Sequence, residues 1–234
     1  MTETPENTDR ITVHVAKGWL AGSTGLMVLA GLCAILASLT SPEAPGVLLA
    51  IKQFNPDQEG NIFTWYNTAL LLANGLLLLL AARLWRPTDG RISRAMTLLG
   101  GLFILLSLDE MVSIHERLGR DVSRIAIGEE IVYAWIFPGA VFVLVVAVYV
   151  LSAFRRLPRP VLGQMIVAGA IFVAGAIGVE AIGWATIVKN DGWTYGYVLL
   201  TWLEESFEIT GLTVFFLAMV RAAAESGRAV RFAY

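Results

Sequence analysis

The placement of acidic residues constrains this chain more than any other feature. Seven of its 19 Asp and Glu side chains fall within apolar stretches long enough to cross a bilayer, which requires about 20 residues. They form three groups: Asp109, Glu110 and Glu116; Glu180; and Glu204, Glu205 and Glu208. His115 lies within the first group, and no Lys or Arg is expected beside these acids at the same depth. Ionisable side chains inside a bilayer are costly and mark functional sites, so these groups are expected to hold protons or cations.

The hydropathy of the chain predicts an all-α, polytopic membrane protein with six transmembrane helices in one bundle. Hydrophobic residues make up 56% of the 234 residues and the mean hydropathy is +0.67, whereas about 45–50% is usual in soluble domains. The six predicted spans are residues 19–39, 62–84, 96–118, 131–154, 161–188 and 197–220. The third and the sixth carry acids near one end, but the rest of each is strongly apolar.

The distribution of basic residues predicts the orientation of the bundle. With six spans, both termini and the loops near 85–95 and 155–160 share one side, which holds twelve Lys and Arg residues against five on the other. Such residues concentrate on the cytoplasmic side, so both termini are predicted to be cytoplasmic, in a bacterial inner membrane. The predicted organisation is a cytoplasmic tail (1–17), a transmembrane domain (18–222) and a second cytoplasmic tail (223–234).

The positions of the tryptophans agree with this orientation, because five of the seven fall near the outer interface. Aromatic side chains at headgroup depth anchor helices. The five are Trp65, Trp135, Trp184, Trp193 and Trp202. Their number on one side also leaves room for a second role, which is to line an outward-facing cavity.

Composition argues against several other classes of protein. The net charge is −2 and there is no basic tail, so the sequence gives no sign of nucleic-acid binding. It contains no Gly-rich phosphate loop and no Zn-type cysteine spacing. The single cysteine, Cys33, excludes an intrachain disulfide. No nucleophile motif is present, so no catalytic residue is assigned.

The topology predicts that the three acidic groups meet in the outer half of the membrane. The third and fifth helices run outward and the sixth runs inward, which places their acids at similar depth. On a continuous third helix, Asp109, Ser113 and Glu116 lie within about 60° of one another. Small residues sharing a helix face with Glu180, at positions 176 and 183, are expected to bring a neighbouring helix close.

Structural roles remain open for some of these acids. Glu116 could reach the outer interface, where Arg117 and Arg120 could neutralise it. Glu110 could pair with Arg117, two helical turns further on. Asp109, Glu180 and Glu208 are predicted to lie deeper, where a purely structural role is harder to sustain.

The favoured function is binding of a divalent metal ion by an outward-facing pocket on helices three, five and six. The predicted ligands are Asp109, Glu110, His115, Glu116, Glu180, Glu204, Glu205 and Glu208. Carboxylate-rich sites suit hard cations, here Mn, Fe, Mg or Ca. The metal would support a reaction on a lipid or a periplasmic small molecule.

Two other functions remain open, and the sequence does not decide whether the protein is an enzyme. One is a proton- or cation-coupled transporter or channel, because intramembrane acids relay protons and bind coupling ions. It ranks second because the inner halves of the helices show almost no polar residue. The other is a non-catalytic accessory subunit, with an oligomer or a larger complex as its partner. In each case the lipid bilayer surrounds the chain.

Overall fold

The computed structural model describes residues 5–39, 52–55, 60–128, 131–190 and 195–225. These residues form helices and no strands, which confirms the predicted all-α class. In chain order the elements are α1 (Pro5–Leu39), α2 (Ile62–Trp85), α3 (Gly90–Val112), α4 (Ile114–Ile127), a 3₁₀ turn (Val132–Trp135), α5 (Ile136–Phe154), α6 (Arg159–Val173), a π-helical segment (Ala174–Val179), α7 (Glu180–Asn190) and α8 (Tyr195–Glu225). Helix α1 thus begins within the predicted N-terminal tail, and residues 226–234 of the predicted C-terminal tail lie outside the described ranges.

Four helical segments in the described ranges are long and apolar enough to cross a membrane. They are Ile62–Trp85, Gly90–Val112, Tyr133–Phe154 and Arg159–Lys189. The length and composition of these helices are therefore those of a membrane protein. The first and sixth predicted spans lie within α1 and α8, which are helical, but a six-span topology with both termini cytoplasmic remains a prediction.

Helix α8 lies at the centre of the bundle and carries three of the acids. It packs against α1, α2, α6, the π-helical segment and α7. Its Ile209, Leu212 and Met219 side chains are almost completely buried. Helix α5, by contrast, exposes a continuous apolar surface that includes Val141 and Val145. The acids of α8 are partly buried and face a cavity inside the bundle, as is usual for ionisable residues in membrane helices.

Two turns meet at the end of the bundle where α3 begins. Asp89 caps α3, because its Oδ1 accepts from the backbone N–H groups of Arg91 (2.8 Å) and Ile92 (3.3 Å). Arg156, in the turn between α5 and α6, donates from Nη1 to Asp89 Oδ2 at 3.0 Å. This hydrogen bond is the main reason why the pKa of the Asp89 carboxyl lies below its ordinary value. Because Asp109 is near the other end of α3, the acidic groups lie at the opposite end of the bundle.

The predicted third span is wrong beyond residue 112. Helix α3 ends at Val112, Ser113 adopts a left-handed conformation (φ 51°, ψ 50°), and α4 begins at Ile114. The continuous helix face that was predicted to hold Asp109, Ser113 and Glu116 therefore does not exist. Helix α4 exposes apolar residues such as Ile125.

A test of this break is the substitution of Ser113 by valine. Left-handed backbone costs an L-residue about 1–2 kcal/mol, and a β-branched side chain adds to that strain. We expect Ser113→Val to be less stable than Ser113→Gly by about that amount, measured by thermal unfolding in detergent. Ser113→Gly is the matched control, since glycine adopts this conformation without penalty. Equal stability of the two variants would contradict the left-handed turn.

The fifth predicted span contains a local change of helix type. Helix α6 gives way at Ala174 to six residues of π-helix, and α7 continues from Glu180. Single π-helical turns inside α-helices occur often at functional sites. Glu180 is the first residue after this turn, so the turn fixes the direction in which its side chain leaves the helix.

Candidate functional site

All eight side chains predicted as ligands line one cavity of about 340 Å³. The structure brings them together from α3, α4, α7 and α8: Asp109, Glu110, His115, Glu116, Glu180, Glu204, Glu205 and Glu208. The three acidic groups, which are far apart in the sequence, therefore meet in space. No Lys or Arg is among the described residues that line this cavity.

Asp109 and His115 bridge the break between α3 and α4. Asp109 Oδ1 accepts from the backbone N–H of His115 at 2.8 Å, and its Oδ2 lies 2.8 Å from His115 Nδ1. An ionised carboxylate only accepts, so it takes this hydrogen bond from a protonated Nδ1. Asp109 therefore stabilises the left-handed turn and orients the imidazole.

Trp135 connects His115 to Glu180. Its indole packs edge-on against the imidazole, with ring centroids 4.7 Å apart. The indole Nε1–H donates to Glu180 Oε1 at 3.2 Å. The residue comes from the 3₁₀ turn before α5 and lines the cavity. Trp135 therefore has the second of the two roles that the sequence left open for the outer tryptophans.

Asn67 joins the acids of α3 and α8 from the buried face of α2. It is fully buried and donates from Nδ2 to Glu110 Oε1 at 3.0 Å. The same side chain interacts with Glu208. Glu110 thus has an amide partner from α2.

Two buried hydrogen-bond acceptors of the described residues lack donors, one on Glu205 in the cavity lining and one on Asn67, which binds Glu110. Asn67 Oδ1 and Glu205 Oε2 are buried and have no hydrogen-bond partner in the described part of the chain. Glu205 also lies within electrostatic range of Glu208, Glu110 and Glu204. Buried oxygen atoms without a donor are costly. Water, a proton shared between carboxyl groups or a bound cation can satisfy such oxygen atoms.

Glu116 lies apart from this central group. Its Oε2 is 3.4 Å from Arg120 Nη1, one turn further along α4, and both side chains are about one-third exposed. This pairing agrees with the structural role that the sequence left open for Glu116. The central carboxylates are therefore those of Glu110, Glu180, Glu204, Glu205 and Glu208.

The small residue that brings a neighbouring helix close to Glu180 is not one of the two that were predicted. The closest approach of α8 is at Gly175, in the π-helical segment, where an added Cβ would lie 2.8 Å from Glu204 O. Ala176 lines the cavity, and a Cβ at Gly183 would be in ordinary contact with Tyr197. A close helix contact beside Glu180 is thus present, but the π-helical turn shifts it to another residue.

The acids surround the cavity and do not converge on one point. Within the described ranges, no three His, Cys, Asp or Glu side chains are positioned together as a metal-binding group. The structure therefore gives the predicted ligands a common cavity without a closed coordination sphere. Metal binding remains a prediction.

Comparison with known proteins places the chain in a family without assigning it a function. No curated protein and no solved structure matches it. A family model does match, over residues 7–223, and this covers most of the chain. The chain belongs to the family described as Domain of unknown function (DUF8692).

Proposed function

We propose that this membrane protein binds a divalent cation between the central carboxylates of its acidic cavity. The observation that carries the proposal is the surplus of buried acceptors, with Asn67 Oδ1 and Glu205 Oε2 left without donors. Carboxylates that are packed together in a medium of low dielectric constant must take up protons or be compensated by a cation. Mn, Fe, Mg and Ca ions suit oxygen ligands, and one histidine fits such a site better than a catalytic zinc site.

The proposed ligands lie on three helices that border the same cavity. Glu204, Glu205 and Glu208 come from α8, Glu110 from α3 and Glu180 from α7. Glutamate side chains have three rotatable bonds, so a cation can draw them inward without moving the helices. Asp109, His115 and Glu116 complete the predicted set at the edge of the cavity, where Asp109 holds the imidazole in place.

The other part of the cavity is apolar, and this supports a lipid or a small amphipathic molecule as the substrate. Its apolar lining comes from α2, α3, α5, α6 and the π-helical segment: Leu71, Leu102, Leu106, Phe142, Val143, Phe172, Val173 and Ile177. Phe142 is also 52% exposed on the outer surface of α5. A molecule in the hydrocarbon region could therefore enter beside Phe142 and present its polar end to the carboxylates. A bound metal would polarise a phosphoryl or carbonyl oxygen there.

Metal analysis of the purified protein tests the proposal. We expect about one Mn, Fe, Mg or Ca ion per chain after gel filtration in detergent, or after loading with each ion in turn. Asp121→Asn is the matched control, because Asp121 is an exposed carboxylate on α4 that pairs with Arg124 outside the cavity. Wild type and control should bind equally. Failure of all four ions to bind would refute the metal site.

A second candidate, proton- or cation-coupled transport, is favoured by polar groups deeper in the bundle. Ser23 Oγ lies 2.8 Å from both Tyr66 Oη and Thr213 Oγ1, and Ser23 and Thr213 are buried. Asn74 is fully buried, about 10 Å further along α2 than Asn67. The interior is thus less uniformly apolar than the sequence suggested.

Flux measurements in sealed vesicles separate the candidates. A transporter predicts proton or cation flux that Glu208→Gln abolishes and Asp121→Asn leaves unchanged. A metal-dependent enzyme predicts bound metal without flux. An accessory subunit predicts stable co-purification with a larger complex, and neither metal nor flux.

A further inference from the structure

A second cavity, of about 220 Å³, lies at the end of the bundle opposite the acids. It is formed where the first turns of α3 face the last turn of α5. Its lining residues are Arg91, Arg94, Tyr149, Ser152, Ala153 and Arg155. Three positive charges therefore face one small space, and no acidic residue is among the described residues of its lining.

The nearby acid is already engaged by another arginine. Asp89 accepts from Arg156 at 3.0 Å and caps α3 with its other oxygen. Across the described ranges, Arg91, Arg94 and Arg155 have no carboxylate at ion-pair distance. Like charges that share a cavity repel one another, so an anion bound between them would be stabilised.

The position of the cavity indicates which anion would reach it. It lies at the ends of two candidate membrane spans, Gly90–Val112 and Tyr133–Phe154, and therefore at headgroup depth. The adjoining surface of α5 is apolar and exposed, with Val148 63% and Leu151 41% exposed. An amphiphile could place its chains on this surface while its charged group enters the cavity.

We propose that this cavity binds the phosphate group of an anionic phospholipid. Guanidinium groups bind phosphate through two parallel hydrogen bonds, and basic pockets between transmembrane helices hold anionic headgroups. The hydroxyl groups of Tyr149 and Ser152 lie in the same lining and suit a glycerol or phosphate oxygen. The site is independent of the acidic cavity and of any metal bound there.

Native mass spectrometry of the full chain in detergent tests the proposal, with phosphatidylglycerol and phosphatidylcholine of identical acyl chains as probes. We expect wild type to retain one phosphatidylglycerol in preference to phosphatidylcholine. Arg94→Gln and Arg155→Gln should each weaken this binding about tenfold or more, because each loses a charge-assisted hydrogen bond. Arg83→Gln is the matched control, since Arg83 is exposed near the same end but outside the cavity lining.

Three results would overturn the assignment. The first is equal retention of the two lipids by wild type. The second is unchanged phosphatidylglycerol binding in both Arg94→Gln and Arg155→Gln. The third is displacement of the lipid by inorganic phosphate at similar concentration, which would identify a soluble phosphate compound as the ligand.

Discussion

Glu205→Gln and Glu208→Gln should each lower bound divalent metal by more than about tenfold. Even groups that only orient a ligand contribute about 10–100-fold to metal affinity, and these residues are proposed to be ligands themselves. Glutamine preserves the volume of the side chain but replaces a charged oxygen with a neutral amide. The measurement is the metal content of each purified variant, followed by titration with Mn²⁺. Asp121→Asn, which removes an exposed carboxylate of α4, should bind like wild type.

The stability of the same variants without metal gives an independent readout. Removing an uncompensated buried charge is neutral or stabilising, so both variants should unfold at the wild-type temperature or above it in the presence of a chelator. Added Mn²⁺ should then stabilise wild type and Asp121→Asn, but neither cavity variant. Undiminished metal binding in both cavity variants would refute the assignment of these glutamates as ligands.

The substitution Gly211→Ala should destabilise the fold by about 1–3 kcal/mol, the usual cost of overpacking. Gly211 lies where α8 crosses α6, and an added Cβ would be 2.7 Å from Phe172 N and 2.8 Å from Ala168 O. Both neighbours are backbone atoms, which cannot move without separating the helices. The same interface continues to Gly175 and Glu204, so metal binding should also weaken. Thermal unfolding and Mn²⁺ titration measure the two effects.

Gly169→Ala on α6 is the matched control for this contact. An added Cβ at Gly169 would have no neighbour within 4 Å, and alanine favours helix over glycine by up to about 1 kcal/mol. This variant should therefore be as stable as wild type or more so. If Gly211→Ala behaved like Gly169→Ala, the close crossing of α6 and α8 would be wrong.

The sequence indicated which acids line the cavity, because hydropathy and the positions of the acids lead to the same helices. Hydropathy locates the apolar stretches, and acids inside such stretches avoid lipid. Glu180 and Glu208 lie on helices that are far apart in the sequence, yet both were expected in the same half of the membrane, and both line the cavity. The central position of α8 explains how one helix can carry three acids.

The break at Ser113 could not be predicted from periodicity. Neither glycine nor proline interrupts the sequence there, and the apolar pattern continues on both sides. The cause is a local side-chain interaction, in which Asp109 accepts from the His115 backbone and contacts its ring. Asp and Ser side chains compete for backbone hydrogen bonds in this way. The spacing of Asp109 and Ser113 was therefore the one feature of the sequence that pointed to a break in the helix.

The π-helical segment was also beyond sequence reasoning. Its residues are apolar or small and fit an ordinary α-helix. The close approach of α8 at Gly175 is a tertiary contact that no local pattern encodes. For the same reason, the sequence does not show that the acids surround the cavity instead of meeting at one point, because this depends on the tertiary arrangement of their helices.

Anomalous diffraction from crystals of the Mn²⁺-loaded protein would test the central claim most directly. The proposal predicts a peak inside the acidic cavity, about 2.0–2.6 Å from carboxylate oxygens. At least three of Glu110, Glu180, Glu204, Glu205 and Glu208 should contribute those oxygens. Loaded crystals without a peak in this cavity would contradict the proposal, and protonated carboxylates in a transport pathway would then become the better explanation.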